Sequence, residues 1–462
     1  MAATTRNSPQ TLVEDCVQWA KNRIHGQVFR PGMRLPSIRA LARQRGISPF
    51  TVVEAYERLV ASGYLASRKG SGFYVRDRPA GSQPSGRFQR ARIDLSWLMR
   101  NMLADSAARG PGLGVLPATW LDGAQLGAAL RSLGRQSASG WLQSGKPLGF
   151  EPLRSVLQQR LAARDILAGP AQIVLTTGIT HALDLVLRTL VSSDDTVLVL
   201  DPCWFGALGM LAARGIRTVG VPCTPAGPDL AAMERLAKEE KPRLLIINSS
   251  AQNPTGVSLS DTAVTHILDI AARSDFLIFE DDVYTDLCAS PTFSLAASDQ
   301  LNRVIQAASF SKTLASNIRV GYIACRPELA ESLAETKILS GFTTPEINER
   351  LVHKLLVEGR YTAHVRSLRD RLADCRIKTR GTLSREGIDV FGDPSDGMFL
   401  WVNMHTDTDE LAVSCREKDL LLAPGSLFSP HQTPSTWMRF NMTTPTDAVA
   451  QCLQYARLGR TN

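Results

Sequence analysis

The sequence predicts two folded parts of unequal size: an N-terminal winged helix-turn-helix within residues 1–78 and a C-terminal doubly wound α/β domain. Three observations lead there. The excess positive charge sits at one end of the chain. That same end reads as three short helices followed by a hairpin. The remainder alternates strand-like and helix-like runs, with polar and ionisable residues where the strands end.

With 462 residues the chain exceeds one ordinary core, so two or three domains are expected. A hydrophobic content of 44% and a charged content of 21% belong to soluble globular proteins. Residues 1–78 hold 13 Lys and Arg against 5 Asp and Glu, which accounts for the whole net charge of +8. The rest carries 39 of each sign. A small basic module on a neutral body is the electrostatic footprint of a nucleic-acid partner. The eight cysteines show neither metal-ligand nor redox-motif spacing, so reduced thiols in a cytoplasm, and no metal, are expected. The opening MAATTRNSPQ has no apolar signal-peptide core, and no stretch is long and apolar enough for a bilayer, so no membrane partner is expected.

From Thr11 to His25, Leu12, Val13, Cys16, Val17, Ala20 and Ile24 recur at helical spacing. Ser37 is placed to cap a second helix through Arg45, which Gly46 ends. Ser48 caps a third, with Pro49 at its first position, where a missing N–H costs nothing. Val52, Ala55, Tyr56, Leu59 and Val60 line one face of it, and Gly63 stops it. Tyr64-Leu65-Ala66 and Phe73-Tyr74-Val75 then flank a basic, Gly-rich tip, as in a hairpin wing. In this layout the helix after the turn enters the major groove of double-stranded DNA and the wing reaches the adjacent backbone. Arg34, Arg39, Arg43 and Arg45 are candidate phosphate contacts. Each arginine alone reads more readily as a plain surface residue; the charge asymmetry and the basic tip together favour DNA.

The stretch PGMRLPSIRALARQRGISPFTVVEAYERLVASGYLASRKGSGFYV resembles the GntR-type DNA-binding domain along its whole length. The resemblance implies that Arg39 contacts bases, that Ser48 and Thr51 supply hydroxyls at the start of the recognition helix, and that Lys69 and Gly70 form the wing tip. Pro49, Phe50 and Val53 stand where some members carry polar or basic readers, so the operator sequence does not transfer. Residues 79–93, rich in Pro, Gly, Ser and Arg, read as a flexible linker.

In residues 94–462, Gln172–Thr176 reads as a strand that turns through Gly178 into a helix, whose first N–H groups, with the Thr180 hydroxyl, make an anion site. Thr196–Leu200 is a second strand, ending at Trp204, either core filler or a flat platform for an aromatic ligand. Arg243–Ile247 leads to the Asn253-Pro254-Thr255-Gly256 turn. Phe276–Phe279 precedes Glu280, Asp281 and Asp282, three acids that need a cationic partner if buried, with Tyr284 spaced to share a ligand with Asp281. After a strand end at Val304–Ala308 comes Ser309-Phe310-Ser311-Lys312, then Arg319. An amine that attacks carbonyls must lose its proton, which burial beside a cation such as Arg319 promotes. The alternative is a surface lysine in a Ser-rich loop.

This set, in this order, is similar to the fold-type I pyridoxal 5'-phosphate (PLP) aminotransferases. The resemblance implies that Lys312 forms an aldimine with PLP and that Asp281 holds the pyridine nitrogen protonated. Tyr284 and Asn253 are implied to bind the ring phenolate, and Trp204 to stack on the ring. Ile179, Thr180, Ser309 and Arg319 are implied to hold the phosphate, and Arg439 a substrate carboxylate. Ser144 departs from the pattern: these enzymes usually carry there a tyrosine that reaches the partner subunit's cofactor phosphate, and the nearby Trp141 is a candidate substitute that no sequence feature supports. The fusion as a whole resembles the MocR subfamily of transcription regulators. That implies a homodimer that senses a small amino compound or B6 vitamer through Lys312. The alternative is an active aminotransferase with an accessory DNA-binding module.

Overall fold

The computed structural model describes residues 12–25, 29, 32–61, 64–68, 72–75, 98–100, 102, 109–135 and 142–460. The chain divides into two units, Met1–Arg90 and Ala91–Asn462. The expected wing tip at Lys69 and Gly70, the linker at 79–93, Gly63 and Trp141 lie outside the described residues.

In the first unit, α1 (Leu12–His25), α2 (Ile38–Arg45) and α3 (Pro49–Ala61) pack around Cys16, Ala20, Leu41, Val52, Ala55, Tyr56 and Leu59, all inaccessible to solvent. The punctuation works as the residues predict. Ser37 Oγ accepts from Ala40 N at 3.2 Å, and Gly46 closes α2 in the left-handed conformation at φ 64°. Ser48 Oγ accepts from Thr51 N at 3.1 Å, which starts α3. The wing pairs β1 (Leu65–Arg68) with β2 (Gly72–Val75) in antiparallel register, Leu65 opposite Val75. Residues 32–35 add a third edge the sequence did not signal: Leu35 N donates to Phe73 O and Val75 N to Met33 O, both at 2.9 Å. Arg34 thereby lies on the wing, and a side chain at Gly72 would meet its guanidinium at 3.1 Å.

The second unit starts with α4 (Gly123–Gly134) and α5 (Glu151–Ala162), which flank an eight-stranded sheet. Its strands are β3 (Ile173–Thr176), β4 (Thr196–Asp201), β5 (Arg217–Thr224), β6 (Gly227–Pro228), β7 (Leu244–Ile247), β8 (Leu277–Asp281), β9 (Val304–Ser309) and β10 (Gly321–Ala324). The order is β3-β10-β9-β8-β7-β4-β5-β6. The central strands β4, β5, β7, β8 and β9 pair in parallel. Helices α6 (Ile179–Leu190), α7 (Phe205–Ala213), α8 (Leu230–Glu240), α9 (Asp261–Ser274) and α10 (Leu295–Asp299) occur along these connections. β10 is antiparallel to both neighbours. The segment joining it to β9 holds only a short 3-10 turn, Ser316–Ile318, too little for a crossover helix. β8 extends through Asp281, two residues beyond the strand the sequence suggests, so Glu280 and Asp281 belong to the sheet.

Helices α11 (Pro327–Gly341), α12 (Glu346–Val357) and the long α13 (Arg360–Arg385) lead to a four-stranded antiparallel sheet. It is built from β11 (Asp389–Val390), β12 (Phe399–Asn403), β13 (Ala423–Pro424) and β14 (Trp437–Asn441), with α14 (Thr408–Arg416) and α15 (Thr446–Arg460). Among the described residues no helix is long and apolar enough to cross a membrane.

Tyr56 brings a hydroxyl into the centre of the small N-terminal core, and that hydroxyl donates to Pro36 O at 2.9 Å. Tyr56→Phe keeps the packing and leaves that carbonyl unpaired. We expect it to lower stability by about 1–2 kcal/mol, read by chemical denaturation of the N-terminal unit.

Candidate functional site

Strand ends bring the site together. β9 delivers Ser309 and, three residues on, Lys312; β8 delivers Asp281; the segment after β7 delivers Asn253; β14 of the smaller sheet delivers Arg439. Lys312 Nζ donates to the Gly114 carbonyl. Its ammonium is pushed down to about 8, first by burial, then by Arg439 and, more weakly, Arg319, against the pull of Asp281. The stronger neighbouring cation is thus Arg439, which lies 127 positions away in sequence; Arg319, the one the sequence suggests, acts second.

The three consecutive acids have three separate fates. Glu280 caps α10, accepting from Leu295 N at 2.9 Å and Ala296 N at 2.8 Å. Asp282, on the opposite sheet face to Asp281, pairs with Arg164 and accepts from Gln306 Nε2 at 3.0 Å. Arg164 is therefore the cationic partner the sequence demanded without identifying. Asp281 is left to face Lys312. Burial raises its carboxyl to about 7, although Val283 N donates to its Oδ1 at 3.2 Å and Asn248 Nδ2 holds its backbone carbonyl at 2.9 Å. Tyr284, buried, accepts from Asn253 Nδ2 at 3.1 Å.

Arg319 lies against the turn at the start of α6. Its Nη2 donates to Thr177 O at 2.8 Å, and a side chain at Gly178 (φ 89°) would meet it at 3.0 Å. Ile179 is the first residue of α6 and Thr180, exposed, is the second. Ser309 stands opposite Gly321 on the neighbouring strand, and its Oγ lies 2.8 Å from Ser311 Oγ. Gly321 also packs on Gly178: a Cβ at Gly321 would lie 2.8 Å from the Gly178 Cα, so the helix N-terminus, the Arg319 guanidinium and the Ser309 strand end lie close together. Trp204, half-buried, packs against both apolar cores with its indole over Gly206, where a Cβ would lie 2.3 Å from the ring. Ser144 is exposed, and its neighbour Gly145 packs on Thr343.

Arg439 is 1% exposed and, among the described residues, has no carboxylate partner. Its guanidinium carbon lies 4.4 Å from the Phe399 ring centroid and 5.3–5.4 Å from those of Phe428 and Phe205. It donates to Asn253 Oδ1 at 3.2 Å and to Gly112 O at 2.7 Å, while Nε has no partner. Burial lowers it to about 10.

The sequence reasoning missed the segment Arg109–Val115. It crosses the site as a strap: Lys312 donates to Gly114 O, Arg439 to Gly112 O, and Asn441 Nδ2 to Leu113 O and Val115 O at 3.0 and 2.9 Å. The available signal was the alternation Gly110, Gly112, Gly114. A Cβ at Gly112 would lie 2.4 Å from the Leu422 backbone, so only glycine lets the strap approach this closely.

On the N-terminal unit, Arg34, Arg39 and Ser48 are exposed, and Thr51 is half-buried with its hydroxyl 2.9 Å from Ser48 Oγ. Phe50, 84% exposed, projects from the first turn of α3. Arg45 stacks on Trp19 at 5.2 Å.

With its carboxyl raised from 3.8 to about 7 on folding, Asp281 contributes stability that is complete below its unfolded value and lost as pH rises through about 7. Asp281→Asn removes this dependence. From about pH 5 to about pH 8 the cofactor-free wild type should lose roughly 1–3 kcal/mol relative to the variant, measured by denaturation at both pH values. Parallel pH profiles would contradict the buried, ligand-awaiting carboxylate.

Comparison with known proteins places these features. Residues 119–454 match the family described as aminotransferase class I and II, and residues 14–75 match the bacterial regulatory proteins of the gntR family. The chain is 28% identical over 437 residues to the uncharacterized HTH-type transcriptional regulator YdcR of Escherichia coli, covering 91% of this chain and 92% of that one. It is 29% identical over 343 residues to the 2-aminoadipate transaminase of Thermus thermophilus, covering 72% and 84%. The crystal structure of LysN, the α-aminoadipate aminotransferase of Thermus thermophilus complexed with N-(5'-phosphopyridoxyl)-L-leucine, superposes with a TM-score of 0.72 at 25% identity, covering 79% of this chain and 94% of that one. The chain belongs to the class I and II aminotransferase family and carries a gntR-family helix-turn-helix domain at its N-terminus, the MocR-like architecture.

Proposed function

We propose that the protein is a DNA-binding transcription regulator whose larger unit holds pyridoxal 5'-phosphate at Lys312 and senses a small amino compound or a B6 vitamer there. The observation that carries this reading is the convergence of Lys312, Asp281 and Arg439 at one site of a chain that also has an exposed, basic helix-turn-helix. The relative YdcR, named an HTH-type transcriptional regulator, aligns with this chain over 92% of its own length, which supports the regulator reading.

The donor set fits the cofactor. A buried carboxyl at about 7 is complemented by a cationic ring N–H, and a lysine at about 8 presents a free amine in mildly alkaline solution. The N-terminus of α6 at Ile179 and Thr180, with Arg319 against its turn and Ser309 on the adjoining strand end, would suit a phosphate dianion. Tyr284 and Asn253, already bonded to each other, would hold a phenolate oxygen, and Trp204 would stand over the ring. When bound, the cofactor supplies a carbonyl to amines and an electron-accepting ring. The chain's own residues would do the rest. Asp281 keeps the ring nitrogen protonated, Lys312 is the nucleophile and proton carrier, and Arg439, its Nε unpartnered, orients an effector carboxylate. Because Lys312 and Arg439 both donate to strap carbonyls, an amino-acid effector competes directly with the strap.

In this reading residues 1–78 form the reader, 79–93 the linker and 94–462 the sensor. Arg34, Arg39, Ser48 and Thr51, with Lys69 and Gly70 of the wing, contact double-stranded DNA. A homodimer is supported by apolar side chains on and after α11: Leu339 is 90% and Phe342 73% exposed, with Ile338 and Ile347 in the same stretch. An active aminotransferase remains the second reading because Lys312, Asp281 and Arg439 are all present, and the Thermus relative is named a transaminase. Steady-state transamination assays set against promoter binding separate the two.

Two outcomes are expected. Promoter affinity should fall steeply with salt, with a log–log slope of about −0.9 per phosphate neutralised, and a chain lacking residues 1–78 should lose DNA binding while keeping its cofactor. A flat salt response would sink the reader assignment. Lys312→Ala should leave basal promoter affinity intact and abolish the change in affinity caused by cofactor or amino ligand, because a ligand shifts an equilibrium only through its differential affinity for two states. A variant that responds as wild type does would remove Lys312 from the switch.

A further inference from the structure

A cleft of about 810 Å³, not lined by Lys312, lies between the C-terminal end of α5, the segment from Thr285 to Ser298, and the first turns of α13. Six charged side chains line it, four of them arginines: Arg160, Arg164, Arg366 and Arg369, against Asp165 and Asp286. The inner two are neutralised: Arg164 pairs with Asp282, and Arg160 with both oxygens of Asp286 at 3.0–3.1 Å. The outer two are not. Arg369 gives only its Nε to a backbone carbonyl, that of Asp286 at 2.9 Å, and among the described residues Arg366 has no hydrogen-bond or ion-pair partner. Spaced three apart on α13, these two guanidiniums share one helix face and point their charge at the same volume. The rest of the wall is mixed: an apolar patch of Phe293, 43% exposed, with Pro291, Val365 and Ala297, stands beside the hydroxyl residues Thr292 and Ser298.

We infer that this cleft is a second small-molecule site, for an organic anion with an apolar body whose carboxylate or similar group is clamped by Arg366 and Arg369. A concave cleft that sets an apolar patch beside convergent polar groups has the general form of a ligand site. Paired, weakly hydrated guanidiniums with unused donors select an anion over a neutral ligand. The cleft also has a physical route to the other site. The Tyr361 hydroxyl lies 2.6 Å from Asp286 Oδ2 and 2.9 Å from Thr313 Oγ1, and His364 Nε2 lies 2.7 Å from Thr313 O, so the wall is bonded to the residue after Lys312.

The test uses the full chain and 2-naphthoate, with its neutral isostere 2-naphthamide, in isothermal titration calorimetry. Arg366 is exposed and bonds to nothing described, so Arg366→Glu should fold as wild type does. Saturable binding of naphthoate to wild type, weaker by roughly tenfold or more in Arg366→Glu and in Arg369→Ala, is expected. Naphthamide should bind more weakly than naphthoate to wild type and be unaffected by Arg366→Glu. Naphthoate binding that is absent, or unchanged in Arg366→Glu because the anion sits on Arg439 instead, would overturn the proposal. Neither result bears on cofactor binding at Lys312, so the two readings fail separately.

Discussion

The buried guanidinium of Arg439 is the constraint on which the site depends. It stands on β14 of the small sheet, yet it contacts Phe205 and Asn253 from the large-sheet half, Phe399 and Phe428 from its own half, and the carbonyl of Gly112 in the strap. Burying a cation is expensive unless its donors are used and its charge is met. Among the described residues no carboxylate meets it. Aromatic faces and two oxygen acceptors offset part of the cost, and burial still pulls its titration down to about 10. A cation held in this way has an unfilled demand for an anion, and it imposes that demand on its neighbours. Lys312, beside it, has its own ammonium form disfavoured, which is the condition a nucleophilic amine requires.

Charge is segregated by sheet face. Strand alternation sends Asp281 toward Lys312 and Asp282 to the opposite side, where Arg164, Gln306 and Thr285 surround it. Asp282 is therefore satisfied by the protein itself, whereas Asp281 is buried with little compensation. That difference, created by a one-residue step along β8, marks one acid as structural and its neighbour as available to a ligand. The same opposite face leads through Asp286 and Tyr361 to Thr313, so the two sides of the sheet meet again beside Lys312.

The small unit reaches stability by another route. Caps at Ser37 and Ser48, the left-handed Gly46 and a fully buried face of α3 define it, and its wing is stiffened by residues 32–35 pairing along β2. This frees the outward face: Arg39, Ser48 and Phe50 contribute nothing to the core and stand exposed at the start of the helices.

The sequence by itself determined the elements whose cause is local. Caps, glycine stops and apolar periods marked the helices of the small unit, and short apolar runs ending in Gly178, Asn253, Asp281 and Lys312 marked the parallel strands and their C-terminal ends. It also located the net charge, because charge is counted and needs no coordinates. Only the tertiary structure decided which groups meet. The ion pair of Asp282 with Arg164 and the approach of the Arg439 cation to Lys312 each span more than a hundred residues, and no periodicity encodes such distances. The antiparallel placement of β10 follows from too short a connection between neighbours, and the strap at Gly110, Gly112 and Gly114 becomes part of the site only because backbone carbonyls, which carry no sequence signature, arrive at side chains from three distant elements.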